Sequence, residues 1–200
     1  MAEPIDATHT TTRLLDALHD LRNEPVWIQF DARFRPVLAG LARRLGLGGA
    51  DAEEVAQTAL AEFVRCYRAG QYDRSKGRLS SWLLGIAHHS ALAVLRRNRR
   101  STQGETEQEA TDEVSLRNIW DQERDREILM HAIAKLREET DVDPRTLLAF
   151  ELSALRGVPA PEVASQCEMT VEQVYVVKSR MTKRLRELVA KMTSAFEEDT

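Results

Sequence analysis

The sequence contains few cysteines and no long apolar run. Cys66 and Cys167 are the only cysteines among 200 residues, and neither belongs to a CxxC pair, so we expect two partly buried thiols without a metal or redox role. No apolar run approaches the roughly 18 residues that a membrane-spanning helix needs. The N-terminal MAEPIDATHTTT lacks the basic and apolar regions of a secretory signal. We therefore expect a cytoplasmic protein without membrane insertion.

Motifs for catalysis and metal binding are also missing. The sequence has no Gly-rich phosphate loop, serine nucleophile elbow or HExxH. His88 and His89 are adjacent, so on a helix they diverge by about 100°, too far to chelate one metal ion without further ligands. We therefore expect no enzyme activity, no cofactor and no metal site.

Charge is segregated along the chain, although the net charge is only -4. Residues 74–100 carry seven basic side chains and no acidic one, whereas residues 101–143 carry thirteen acidic and five basic ones. Residues 178–192 carry six basic side chains and one acidic one. Two basic blocks around an acidic middle favour local nucleic-acid-binding surfaces over a uniformly basic coat.

The apolar residues recur at helical spacing, and no period-two segment bounded by turn residues stands out. The pattern predicts an all-α fold of two small helical domains. The polar, acidic stretch over residues 101–115 predicts a flexible linker between them. The predicted helices cover about residues 11–21, 25–45 with a kink or break at Pro36, 51–68, 116–139 and 144–155.

The C-terminal half has helix-turn-helix spacing. A short helix, a turn near residues 167–169 and a long basic helix opening at Thr170, a good N-cap residue, follow one another. An ordinary helical hairpin with a solvated basic face would produce the same spacing. The side chains on or beside the open face of the second helix are Glu172, Gln173, Tyr175, Lys178, Ser179 and Arg180.

The stretch SSWLLGIAHHSALAVLRRNRR, residues 80–100, combines an apolar helical face with four arginines at and beyond the helix end. Such arginines either stabilise the helix dipole or hold nucleic acid. Tyr72 and Trp82 bracket the basic run DRSKGR, and aromatic residues interleaved with basic ones suit single-stranded nucleic acid. Trp82, with apolar neighbours, also suits a core position.

Three segments in this order resemble the extracytoplasmic-function class of sigma-70-family sigma factors, over roughly residues 26–188. DAEEVAQTAL is similar to that family's DAEDLVQETF, and YDRSKGRLSSWLLGIAHHSALAVLRR is similar to DPxxGxFxxWLxxIARNxAxDxLRR. RGVPAPEVASQCEMTVEQVYVVKSRMTKRLREL is similar to the region 4 helix-turn-helix, GLSYEEIAEILGISVGTVKSRLxRAxxxL.

The resemblance implies a domain organisation. Residues 1–22 would form an N-terminal extension with a short helix, and residues 23–100 a region 2-like domain. Residues 101–118 would be the acidic linker, threading toward the RNA exit channel of the polymerase. Residues 119–192 would form the region 4-like helix-turn-helix, followed by a tail over residues 193–200.

The resemblance also implies partners and sites. The partners are core RNA polymerase, promoter DNA and a regulating anti-sigma factor. Glu53, Glu54 and Gln57 would contact the clamp helices of the largest polymerase subunit. The minus-ten element would be opened and held by Arg74, Lys76, Arg78, Trp82, His88, His89, Arg96, Arg97, Arg99 and Arg100. The minus-thirty-five element would be read by Thr170, Glu172, Gln173, Tyr175, Val176, Ser179, Arg180 and Lys183.

The sequence departs from the family's usual residues at defined positions. His89 replaces the usual Asn and Ala93 the usual Asp, and Glu172 replaces a Gly. Tyr175 and Val176 stand where Lys and Ser are usual. Two other functions use the same features: a helix-turn-helix regulator that acts without polymerase, and a sigma mimic that sequesters an anti-sigma factor.

Overall fold

A computed structural model describes residues 14–15, 17–18, 24–102, 112–138 and 142–197, except for the side chains of residues 74, 101, 102 and 197. Most of the predicted helix over residues 11–21 lies outside this part of the chain, although Leu14, Leu15 and Leu18 are described and buried. Most of the predicted linker, residues 103–111, lies outside it as well.

The regular secondary structure of the described residues is entirely helical and includes no strand, which confirms the all-α prediction. Gly157, just beyond the π-helical segment, has a positive φ of 69°. The helices are α1 (Glu24–Arg44), α2 (Gly49–Arg68), a 3-10 turn (Arg74–Lys76), α3 (Leu79–Thr102), α4 (Glu113–Glu138), α5 (Pro144–Phe150), a π-helical segment (Glu151–Leu155), α6 (Ala160–Gln166) and α7 (Val171–Glu197).

Three predicted boundaries differ from the structure. Helix α1 continues through Pro36 without a break, because buried neighbours such as Phe34 and Val37 anchor both sides of the proline. Helix α3 continues to Thr102, so the four arginines lie within the helix and not beyond its end.

The third difference lies in the predicted linker over residues 101–118. Residues 113–118 are helical because Asp112 caps α4: its carboxylate accepts hydrogen bonds from the Ser115 backbone N–H at 2.8 Å and from the Ser115 hydroxyl at 2.9 Å.

The described contacts divide the chain into two units, Met1–Glu127 with Ser194–Thr200, and Ile128–Thr193. The first division falls inside α4, nine residues after the predicted boundary at residues 118–119. The core of the first unit is formed by α1, α2 and α3, and the first half of α4 adds Leu116 and Trp120 to it.

The second unit contains the predicted helix-turn-helix. Val163, Ala164 and Cys167 pack with Val174 of α7 in a small core that also includes Ala149 and Leu152. Cys167 is buried there as a free thiol, and Cys66 is buried in the first unit, as expected. No described helix is long and apolar enough to cross a membrane.

Candidate nucleic-acid interface

Helix α3 carries an exposed stripe opposite its buried face. Leu79, Leu83 and Ala87 recur every four residues and are completely buried. Successive residues of a helix are about 100° apart, so the opposite face carries a different set of side chains. This set extends about 27 Å along the helix, from residue 82 to residue 100. This α3 stripe consists of Trp82, His89, Ala93, Arg96 and Arg100.

The N-terminal end of the α3 stripe is aromatic. Trp82 is half-buried and stacks on Tyr72, with ring centroids 5.1 Å apart and planes within 7° of parallel. Its edge meets Phe63, with centroids 5.4 Å apart. Trp82 is therefore attached to the core, as its apolar neighbours suggested, while part of its ring remains accessible at the end of the stripe.

The two histidines of α3 have different environments. His89 is exposed on the stripe, and its Nδ1 lies 2.7 Å from the Gly85 carbonyl oxygen, which leaves Nε2 toward solvent. His88 is half-buried about 100° away, and burial together with the neighbouring His89 lowers the pKa of His88. The structure therefore brings only His89 onto the stripe.

The arginines also separate into paired and available ones. Arg97 donates two hydrogen bonds to the Glu54 carboxylate, both of 3.1 Å, and Asn98 donates one to Asp51 at 2.7 Å. The Arg97 guanidinium lowers the pKa of Glu54. Arg96 and Arg100 are exposed and form no ion pair with another described residue.

A depression of about 500 Å³ lies at this end of the α3 stripe. Its lining consists of Ala93, Arg96, Arg97 and Arg100. With Ala93 in place of an acidic residue, none of the described lining residues carries a carboxylate, so the depression can accept an anionic group. Arg99 is half-buried and points away from the stripe.

The basic residues before α3 lie on a loop. Lys76 Nζ lies 3.6 Å from an Asp73 carboxylate oxygen, and Arg78 is exposed. Hydrogen bonds from Ser75 lower the pKa of Asp73, which keeps the carboxylate charged beside Lys76. The side chain of Arg74 lies outside the described residues.

Two of the three residues matched to polymerase binding are already in ion pairs. Glu53 accepts a hydrogen bond from Arg43 at 2.9 Å, and Glu54 is held by Arg97. Gln57 is exposed and lines a groove of about 530 Å³ between α1 and α2.

This α1–α2 groove is mostly apolar and was not found from the sequence. Trp27, Ile28, Leu60 and Val64 are among its lining residues, and the Ile28 side chain is 52% exposed. An exposed isoleucine in an amphipathic helix could have indicated the groove, but its depth depends on how two helices pack.

Helix α7 begins with a reciprocal capping box. The Thr170 hydroxyl accepts a hydrogen bond from the Gln173 backbone N–H at 3.2 Å, and the Gln173 side-chain oxygen accepts one from the Thr170 backbone N–H at 2.8 Å. The N-cap prediction for Thr170 is therefore confirmed. The side-chain oxygen of Gln173, a residue predicted to read bases, holds the start of the helix.

The face of α7 opposite its buried side chains is open. Val174, Met181 and Leu185 are buried. Glu172, Ser179 and Lys183 follow the centre of the open face, with Tyr175 and Val176 on its two sides and Arg180 beside them. Hydrogen bonds from its own backbone N–H and from the Thr170 hydroxyl lower the pKa of Glu172.

Comparisons with known proteins found three similarities. Residues 31–101 match Sigma-70 region 2. The chain is 24% identical over 170 residues to the ECF RNA polymerase sigma factor RpoE of Cereibacter sphaeroides, covering 80% of this chain and 91% of RpoE. The solved structure of CnrH in complex with the cytosolic domain of CnrY matches with 18% identity and a TM-score of 0.37, covering 94% of this chain and 98% of that chain. The region 2 match and the similarity to RpoE together support an extracytoplasmic-function sigma factor of the sigma-70 family.

Proposed function

We propose that this protein binds core RNA polymerase in the cytoplasm, recognises the minus-ten and minus-thirty-five promoter elements and promotes promoter opening. The α3 stripe is the observation that carries this proposal. It combines an aromatic end with an arginine-lined depression on one face of a single helix. Single-stranded nucleic acid needs this combination, because its bases stack on aromatic rings while its phosphates pair with cations.

Opening at the minus-ten element requires no hydrolysis. Unpairing costs about 1.4 kcal/mol per base-pair step, and stacking of a base on an aromatic side chain returns about 1–3 kcal/mol. Arg96 and Arg100 have no competing carboxylate among the described residues, so they are the arginines best placed to hold the phosphates of the separated strand. His89 lies between the two ends and offers a ring nitrogen to a base or phosphate.

The minus-thirty-five element would be bound by α7. The capping box fixes the start of this helix, and α6 packs across it through Val163 and Ala164. In a helix-turn-helix, this arrangement presents the first turns of the second helix to the major groove. Lys178, Arg180 and Lys183 are exposed and supply cations for phosphate contacts.

The polymerase-binding surface is proposed to be centred on Gln57 and the α1–α2 groove. Contact through Glu54 would require the polymerase to displace Arg97, whereas Gln57 and Ile28 are exposed without such a competitor. The resemblance further implies an anti-sigma factor as a regulatory partner.

In vitro transcription on genomic DNA fragments tests the function. Core polymerase with this protein should initiate at positions absent with core alone, and the two should copurify. A helix-turn-helix regulator without polymerase would bind duplex DNA but fail to copurify. A sigma mimic would give no new start sites. Either result would overturn the proposal.

A further inference from the structure

We propose that Tyr175 and Val176 select the upstream promoter element by contacting thymine methyl groups in the major groove. This inference rests on the proposed function, because it requires α7 to lie in that groove. It concerns two positions at which this chain differs from its family, which usually has Lys and Ser there.

The exposure of these side chains is the first argument. The side chain of Tyr175 is 61% exposed and that of Val176 is 47% exposed, on either side of the open face of α7. Both lie within the first two turns, where a recognition helix meets base edges. The Val176 side chain has no polar atom, so it cannot hydrogen-bond to a base edge, but it packs favourably against the C5-methyl group of thymine. The Tyr175 ring offers a similar apolar surface, although its hydroxyl can also form a hydrogen bond.

The capping box supplies the second argument. A free glutamine at the start of α7 would be expected to bind adenine through its amide group. The Gln173 side-chain oxygen instead accepts the Thr170 backbone N–H at 2.8 Å, so it is committed to the helix end. Thr170, likewise, uses its hydroxyl oxygen to accept from the Gln173 backbone N–H. Thr170 and Gln173 therefore have less hydrogen-bonding capacity left for bases, and the apolar contacts of α7 account for more of the selectivity among base pairs.

The charges around the pair indicate duplex DNA as the occupant rather than an apolar protein surface. Lys178, Arg180 and Lys183 are exposed cations near Tyr175 and Val176 on α7, and the Glu172 carboxylate lies at the centre of the open face. The cations match phosphates beside a groove whose floor carries methyl groups.

Replacing thymine by deoxyuridine removes the methyl group without changing base pairing. We would select duplexes from a random thymine-containing pool with the full chain bound to core polymerase, and then measure binding of the selected duplexes with uracil at each upstream thymine. At contacted positions the substitution should weaken binding about fourfold per methyl group.

Variants link the effect to the two side chains. Tyr175→Ala and Val176→Ser should each remove the uracil penalty at one thymine position, while Val176→Thr, which keeps a methyl group, should retain part of it. Ala190→Ser, an exposed substitution farther along α7, is the matched control and should leave the penalty unchanged.

The outcomes separate this inference from the proposed function. If no upstream motif is enriched beyond that of core polymerase alone, the proposed function fails. If a motif is enriched but the wild-type complex binds thymine and uracil duplexes equally, the proposed function stands and the methyl contacts are wrong.

Discussion

At the scale of single residues, Gly40 allows the Glu123 side chain of α4 to pack closely against α1. A Cβ atom at this position would overlap the Glu123 carboxylate. That carboxylate is buried and lies 3.2 Å from Arg44 Nε and 3.9 Å from Arg126. Gly40 therefore lets a charged side chain of α4 reach its partner on α1, within the first unit.

We predict that the effect of Gly40→Ala on the free energy of unfolding has opposite signs with and without Glu123. In the wild-type background the overlap with Glu123 should lower the free energy of unfolding by about 1–3 kcal/mol. In a Glu123→Ala background the same change should raise it by up to about 1 kcal/mol, because alanine is the better helix former. Urea denaturation of the four proteins measures this coupling. A loss of equal size in both backgrounds would contradict the contact.

The sequence did not indicate the Gly40–Glu123 contact. Glu123 belongs to an acidic stretch that is exposed by every compositional criterion, and its burial depends on helices separated by the linker. The same reason applies to Glu54 and Arg97, which are 43 residues apart. Each residue was assigned to a different partner, and only the packing of α2 beside α3 reveals that they bind each other.

At the scale of helices, the start of α7 determines how the open face is presented. Thr170→Ala removes the hydroxyl that accepts the Gln173 backbone N–H, so we expect a loss of about 1 kcal/mol in the free energy of unfolding. Thr170→Ser keeps an acceptor and should cost only a fraction of this. Urea denaturation measures stability, and hydrogen exchange of the first α7 amides localises the effect.

The outcome for Thr170→Ala also distinguishes two functions of the residue. A cap affects stability in the absence of DNA, whereas a residue that only contacts DNA does not. Unchanged stability, with weakened upstream binding, would contradict the capping role and return Thr170 to the set of direct contacts.

Apolar periodicity and capping residues predict the presence of a helix better than the position of its ends. The periodic apolar residues of α2 and α3 and the N-cap residue Thr170 were sufficient to predict these elements and the start of α7. The end of α3 was misplaced because an arginine-rich segment has no apolar period, yet arginine is a good helix former and the helix continues to Thr102. Its continuation matters, since it aligns Arg96 and Arg100 with Trp82.

At the scale of the whole molecule, the region 2 domain combines two surfaces that we propose bind different partners. The α1–α2 groove contains Gln57, and the α3 stripe contains the available arginines. The Glu54–Arg97 pair connects α2, which lines the groove, with α3, which carries the stripe. Of the arginines that line the depression, Arg96 and Arg100 have no carboxylate partner among the described residues, whereas Arg97 neutralises Glu54 of α2.

This division predicts different salt dependences for neighbouring arginines of identical charge. Each phosphate contact on a single strand contributes about 0.7 to the slope of log K against log salt. Arg96→Ala with Arg100→Ala should therefore reduce the slope for open-complex formation by about 1.4. Arg97→Ala is the matched control, and it should change the slope little because Glu54 already neutralises Arg97. Fluorescence of a base analogue in the minus-ten element, measured across a salt series, reports opening. A slope reduced as much by Arg97→Ala as by either other arginine would show that Arg97 leaves Glu54 to hold DNA.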